Sequence, residues 1–249
     1  MALAKISVPC VLAIVTLLSA CAPDPPPAAR QNECVILLHG LARTAFSMQR
    51  MERMLERNGF SVANVDYPSR DYTIEVLAPM AIEDGLQQCG EHSGTSTIHF
   101  VTHSLGGILV RVYLADHTIA SLGRVVMLAP PNQGSIAVDE MVAIPGFDWL
   151  NGPAGFQLGK GPESVPLRLG VPQFEFGVIA GDRSIDPITS AILPDPDDGR
   201  VSVSDTKLEG MRDFIVVPVS HAMIMQDRQV FRLVRNFLIR GSFNPEDAD

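Results

Sequence analysis

Apolar runs of strand length alternate along the chain with stretches whose apolar residues recur every three or four positions. Cys34-Val35-Ile36-Leu37-Leu38 is continuous, the pattern of a strand covered on both faces. Met48, Met51, Met54 and Leu55 then share one helical stripe, with Thr44 placed to cap it and Gly59 to stop it. Residues 60–66 read as a second strand. The next helix carries Ala78, Ala81, Ile82, Gly85, Leu86 and Cys89 on one face, with Pro79 delaying its start. A strand over 98–102, a helix over 105–116 and a strand over 124–129 follow. Strands over 174–180 and 213–217 precede a closing helix, 224–239, that turns Phe231, Val234 and Leu238 inward. This alternation predicts an α/β fold: a mainly parallel central sheet flanked by helices. Ligands of such sheets bind beyond the carboxyl ends of the strands.

Two segments depart from the alternation. Residues 133–172 form an irregular insert, rich in Gly and Pro between 145 and 172, which holds Trp149 beside Phe147 and Leu150. A long loop of this kind is functional or mobile more often than it is filler. At the other departure, Lys5 precedes a mostly apolar run over 6–18, too short to span a bilayer and of the length of a secretory signal. The organisation expected is therefore a signal over 1–20, a Pro-rich tether over 21–32, one α/β domain over 33–241 with its small lid-like insert, and a tail over 242–249.

Composition narrows the function classes. The 249 residues hold 28 Asp+Glu against 19 Lys+Arg, a net charge of −9, with 46% hydrophobic residues and four Cys. The apolar fraction excludes a disordered chain, and so few Cys exclude a disulfide-stapled miniprotein. Without a basic excess, a non-specific nucleic-acid partner is excluded too. The same acidity implies a body that does not cling to anionic headgroups. Cys34 begins a strand and Cys89 lies on the inward face of a helix, so a disulfide between them is expected; two buried free thiols are the alternative.

Candidate chemistry sits where strands end. Thr102-His103-Ser104-Leu105-Gly106-Gly107 joins a strand to a helix and matches a G-x-S-x-G nucleophile elbow with Thr in the first Gly position. Such a turn lifts the Ser104 hydroxyl clear of the sheet; Gly106 lets neighbouring backbone approach. A Ser that merely caps a helix is the plainer reading. At the end of the first strand, His39-Gly40-Leu41 would turn the Leu41 amide toward a substrate oxygen, with the Leu105 amide as second donor of an oxyanion hole. A general base must be a His. His92, His99, His103 and His117 have plain surface or packing readings, whereas His221 follows the last strand and reaches the same sheet edge. For the acid, Asp198 is favoured, with Asp182 and then Asp197 as alternatives; Asp186 and Asp195 also lie in loops. The order Ser, Asp, His matches that found in one class of serine hydrolase. No metal site is expected, because the acidic cluster lacks calcium-loop spacing and Thr206 stands where such a loop needs Glu. No cofactor is expected either, since Gly155 to Lys160 is one residue short of a phosphate loop.

Together, Leu37-Leu38-His39-Gly40-Leu41, the Thr102–Gly107 elbow, Ala129-Pro130-Pro131-Asn132-Gln133-Gly134-Ser135, Asp198-Gly199-Arg200-Val201 and Ser220-His221 resemble the motifs of bacterial lipases and esterases of the α/β-hydrolase superfamily. That resemblance, over about residues 33–240, implies hydrolysis of a carboxylic ester by Ser104, His221 and Asp198, and the apolar insert suggests an apolar acyl group. Acyl transfer on the same residues and a non-catalytic envelope binding or scaffold protein are the alternatives. Leu18-Ser19-Ala20-Cys21 resembles the lipobox of bacterial lipoproteins, whose signal is cut before a Cys that carries a diacylglyceryl group; an ordinary signal peptide is the alternative. It implies an envelope protein anchored through Cys21, with Ala22 suiting the periplasmic face of the outer membrane. Oligomeric state, acyl length and alcohol group are not encoded in any of these features.

Overall fold

The computed structural model describes residues 30, 32–92, 94–142, 146–194 and 196–244. The expected signal, Cys21, most of the tether, Asp195 and the final residues of the tail lie outside the described residues. Strands β1 (Glu33–Leu38), β2 (Ser61–Val65), β3 (Thr97–His103), β4 (Leu122–Leu128), β5 (Phe176–Gly181) and β6 (Asp213–Val217) form one sheet. Every pairing is parallel, in the order β2-β1-β3-β4-β5-β6. The chain runs outward from β1 to β2, then returns to lay β3 on the other side of β1. That reversal opens a crevice between the carboxyl ends of β1 and β3.

The continuous apolar run of β1 is explained by its neighbours. Cys34, Ile36 and Leu38 face a core shared with α2 (Ile74–Glu91) and α3 (Leu105–Asp116). Val35 and Leu37 face a second core, shared with α1 (Gln49–Arg57) and α9 (Arg228–Arg240). Cys34 and Cys89 are bonded, with Cα atoms 5.8 Å apart, tying the start of the central strand to the end of α2.

Several expected boundaries move, each for a tertiary reason. Thr44 makes no side-chain cap; the chain first forms a 3-10 turn, Ala45–Met48, and Asp66 from beyond β2 accepts the Ala45 N–H at 2.9 Å. Helix α2 begins at Ile74, five residues before Pro79 rather than after it. Gln157 of the insert accepts the Ile74 N–H at 2.7 Å and so supplies the helix start. The closing helix is split at Asp227, whose carboxylate accepts the N–H groups of Gln229 and Val230. Phe231 is only half-buried there, while Leu233, Val234, Phe237 and Leu238 face the core together with Phe243.

The insert holds α4 (Ile136–Met141), α5 (Phe147–Phe156) and α6 (Val165–Arg168). It is moored from below by Arg111 of α3, which is 4% exposed and among the described residues has no carboxylate partner. Its guanidinium donates to Asn132 O and Oδ1 at 3.1 Å and to the carbonyls of Pro166 and Leu169. Burial lowers its pKa to about 10, which still leaves it charged near neutrality. Four acceptor contacts to its two terminal nitrogens thus stand in place of an anion, while Nε has no hydrogen-bond partner among the described residues. Between α6 and β5 the chain returns to the sheet; α7 (Pro187–Ser190) and α8 (Val203–Thr206) follow β5.

The Cys34–Cys89 bond closes a loop of 55 residues, for which the chain-entropy relation gives about 4 kcal/mol. Replacing both by Ala should lower the unfolding free energy by about 2–4 kcal/mol in urea titrations, and reduction of the wild type should match it.

Candidate active site

Four chain segments meet at the carboxyl edge of the sheet. The end of β3 brings Ser104, which has φ 51 and ψ −118 and is followed at once by α3. A non-glycine residue holds such a conformation only where its surroundings over-determine it. Here the Ser104 N–H donates to Leu128 O at 2.9 Å, and its carbonyl accepts the Gly107 N–H at 3.0 Å. Glycines supply the room. A Cβ on Gly106 would stand 2.7 Å from Leu38 O, and one on Gly107 would stand 3.2 Å from Thr102 Oγ1. Thr102, the residue that departs from the usual elbow, is fully buried beneath that turn and does not line the pocket. Gly107 accommodates its bulk, so the departure leaves the pocket's lining untouched.

The β1 loop is equally fixed. His39 is fully buried; its Nδ1–H donates to Gly40 O at 2.9 Å and its Nε2 accepts the Tyr67 N–H at 3.3 Å. The Tyr67 ring stacks on it with centroids 4.0 Å apart, and the Tyr67 hydroxyl donates to His39 O. Ala42 then takes φ 54, with its N–H donating to Ser69 Oγ. Ala129, at the end of β4, has φ 47. The three positive-φ residues other than glycine among those described, Ala42, Ser104 and Ala129, thus follow β1, β3 and β4, around the crevice.

His221 follows β6 and its ring is 13% exposed. Nδ1–H donates to Asp198 Oδ2 at 2.8 Å, and the His221 backbone N–H donates to Asp198 O at 2.9 Å. Asp198 is 1% exposed, and its other oxygen accepts the Arg200 and Val201 N–H groups at 2.9 and 2.8 Å. With Nδ1 so occupied, the free lone pair of a neutral His221 is on Nε2. Of the alternatives, Asp197 accepts from Ser190 Oγ and Gly199 N, Asp186 caps α7, and Asp182 lies 3.7 Å from Arg183. Among them only Asp198 is hydrogen-bonded to His221.

One connection was absent from the motif reading. His103 precedes Ser104, is 2% exposed, and donates from Nε2 to His221 O at 3.0 Å, with the two rings tilted and 4.8 Å apart. Among the described residues its Nδ1 has no hydrogen-bond partner, and it lies 2.7 Å from where a Cβ on Gly40 would be. One imidazole therefore touches the β1 loop, the elbow and the His221 loop. Burial, with the charges of His221 and Arg43 adding to it, holds the His103 pKa well below the usual histidine range. Nothing in the local sequence pairs residue 103 with a carbonyl 118 positions on.

These segments enclose a cavity of about 280 Å³. Ser104 and His221 both line it, with apolar walls from Leu41, Ala137, Val138, Met141, Leu158 and Val201. The insert supplies part of that wall, while Arg43 and Arg200 are the cavity's permanently charged residues. Leu105 is the first residue of α3, where an N–H has no acceptor within the helix. Leu41 reaches the cavity from the β1 loop.

No protein-family model matches the chain, and no curated protein sequence matches it. Solved structures do. The mature Bacillus licheniformis lipase BlEst2 superposes with a TM-score of 0.68 at 18% identity, over 87% of this chain and 94% of that one. The metagenomic carboxyl esterase MGS0156 gives 0.61 at 20% identity, covering 78% and 66%. Phospholipase PlaB from Legionella pneumophila gives 0.58 at 18%, covering 70% and 45%. At these identities the likeness establishes architecture: the chain has the α/β-hydrolase fold.

The buried histidines set a pH dependence. His39 and His103 both have folded pKa values lowered from 6.5, chiefly by desolvation. The unfolded chain then binds more protons below 6.5, so stability is full above that pH and falls as acid is added, until the folded pKa is passed. Each can contribute up to about 1.4 kcal/mol per pH unit. Urea unfolding between pH 7 and 5 should show the loss, and His103→Gln should remove one histidine's share of the slope.

Proposed function

We propose that the protein hydrolyses carboxylic esters with an apolar acyl group, through an acyl-enzyme formed on Ser104. The Nδ1–H of His221 bonded at 2.8 Å to a buried Asp198, in a pocket shared with the strained Ser104, carries this reading. The names of the structural neighbours, a lipase, a carboxyl esterase and a phospholipase, agree with it.

In this mechanism His221 Nε2 takes the Ser104 hydroxyl proton as Oγ attacks the ester carbonyl. The negative charge that develops on the carbonyl oxygen is met by the Leu41 and Leu105 N–H groups. His221 then passes its proton to the departing alcohol, and water repeats the sequence in reverse roles to release the acid. Asp198 holds the imidazole in its Nδ1–H tautomer and stabilises the imidazolium. Two backbone N–H bonds to its other oxygen keep that carboxylate oriented. His103 acts through His221 as a positioning residue. The apolar lining from α4 and from Leu158 suits an acyl chain.

We also assign the chain to the bacterial envelope, held by lipid on Cys21. The apolar run before Leu18-Ser19-Ala20-Cys21 and the Pro-rich stretch after it support that reading.

Ser104→Ala should abolish both ester turnover and labelling by a fluorophosphonate while leaving the unfolding transition in place; full activity in that variant would refute the mechanism. Asp198→Asn should lower kcat by about 10³–10⁴ through the wrong tautomer. In fractionated cells, Cys21→Ser should move the protein from membranes to the soluble fraction, and continued membrane retention would count against the anchor.

A further inference from the structure

A chain of net charge −9 gathers four arginines in one cleft. Arg50, Arg53 and Arg57 of α1 and Arg228 of α9 line a depression of about 430 Å³, with Met54, Asn58 and Phe231 making the remainder of its wall. No carboxylate among the described residues lines it. Among the described residues none of the four arginines is in an ion pair, and all four are exposed. Arg53 donates to Gln49, and Glu52 of the same helix is turned away to accept from Asn64 Nδ2 at 2.8 Å.

Apart from Arg57, whose charge is favoured in the last turn of α1, the arrangement works against the fold that carries it. Arg50 with Arg53, and Arg53 with Arg57, are like charges at i,i+3 and i,i+4, where each pair destabilises a helix. Arg50 is the second residue of α1 and Arg228 the first of α9, so both place a cation at the positive end of a helix dipole. Desolvated packing does not account for them, because the side chains are exposed. An anion in the cleft would relieve all of these repulsions together.

The surroundings indicate which anion. The 3-10 turn that runs into α1 presents Phe46, 78% exposed, and it packs on the turn after β6, where Met223 is 47% exposed. Cations beside protruding apolar side chains suit a surface with charged headgroups above an apolar interior. The N-terminal chain ends its described course at the same place. The Arg30 guanidinium lies 5.6 Å from the ring of Phe60, two residues past Asn58.

We propose that this cleft docks the protein on an anionic lipid surface, with Arg50, Arg53, Arg57 and Arg228 holding headgroup phosphates. Net charge averages over the whole surface; attraction to a membrane acts within about a Debye length and so depends on this face alone.

Vesicle sedimentation tests the proposal without reference to turnover, so its outcome is separate from that of the ester-hydrolase reading. The full chain carrying Cys21→Ser, which removes the acyl attachment point, would be mixed with vesicles of phosphatidylcholine, with and without phosphatidylglycerol. Binding should favour the anionic vesicles and weaken as salt is raised. Arg53→Gln alone should weaken it roughly fivefold, and the fourfold Arg→Gln variant roughly 600-fold. The unfolding midpoint of the fourfold variant should equal or exceed that of the parent, because repulsions are removed; a structural role for the arginines would lower it. Equal binding to both vesicle types, or undiminished binding by the fourfold variant, would overturn the proposal. Inorganic phosphate alone releasing the chain from vesicles at low concentration, with ionic strength held constant, would reassign the cleft to a free anion and overturn it too.

Discussion

Ser104 occupies a backbone conformation that costs an L-residue on the order of 1–3 kcal/mol, and much of the surrounding structure is arranged to hold it there. Its N–H is committed to Leu128 of β4, its carbonyl to Gly107, and the space under the turn exists because Gly106 brings no Cβ against Leu38. The central strand must therefore run directly beneath the elbow. A sheet in which β1 and β3 are neighbours satisfies that requirement and sets the crevice at the same point. Positive φ at Ala42 and Ala129 extends the same constraint to the strands on either side. The strain is local to one edge of the sheet, while the two cores that support it are packed on regular elements.

Buried polar groups do the joining at that edge. His39 is locked by Tyr67 and Gly40, Asp198 by three N–H donors, and His103 by the carbonyl of His221. None of these is a solvent-exposed ion pair, which would be worth little and would vary with salt. Each is a bond whose loss leaves a buried group unsatisfied, so the alternatives to the observed geometry are expensive. His103 has the widest reach, since a single ring contacts the loops after β1, β3 and β6. Arg111 does comparable work below the insert, where backbone carbonyls and an amide oxygen replace a counter-ion.

Charge on this molecule is organised by face rather than by total. Apart from the buried Asp197, Asp198 and Asp205, many of the carboxylates that dominate the composition lie on the surface or serve as caps, as Asp66, Asp186 and Asp227 do. The arginines of α1 and α9 share one cleft, and Arg43 and Arg200 share the mouth of the pocket. A composition of −9 reports nothing of that separation.

The alternation of apolar runs was enough to determine an α/β sheet, because a strand buried on both faces and a helix buried on one leave different periods in the chain. Residue identity at strand ends was enough to single out Ser104 and His221, and the structure brings both to one pocket and His221 into contact with Asp198. Asp198 could not be separated from Asp182 and Asp197 by spacing, since all lie in loops on the same edge; only the fold decides which carboxylate faces the imidazole. Helix starts were misplaced where their caps come from afar, as Gln157 does for Ile74 and Asp66 for Ala45. The bond from His103 to His221 and the gathering of Arg50, Arg53 and Arg57 with Arg228 were decided by tertiary structure alone. Periodicity reports on neighbours three or four residues away, whereas these partners are more than a hundred residues apart and meet only once the sheet has formed.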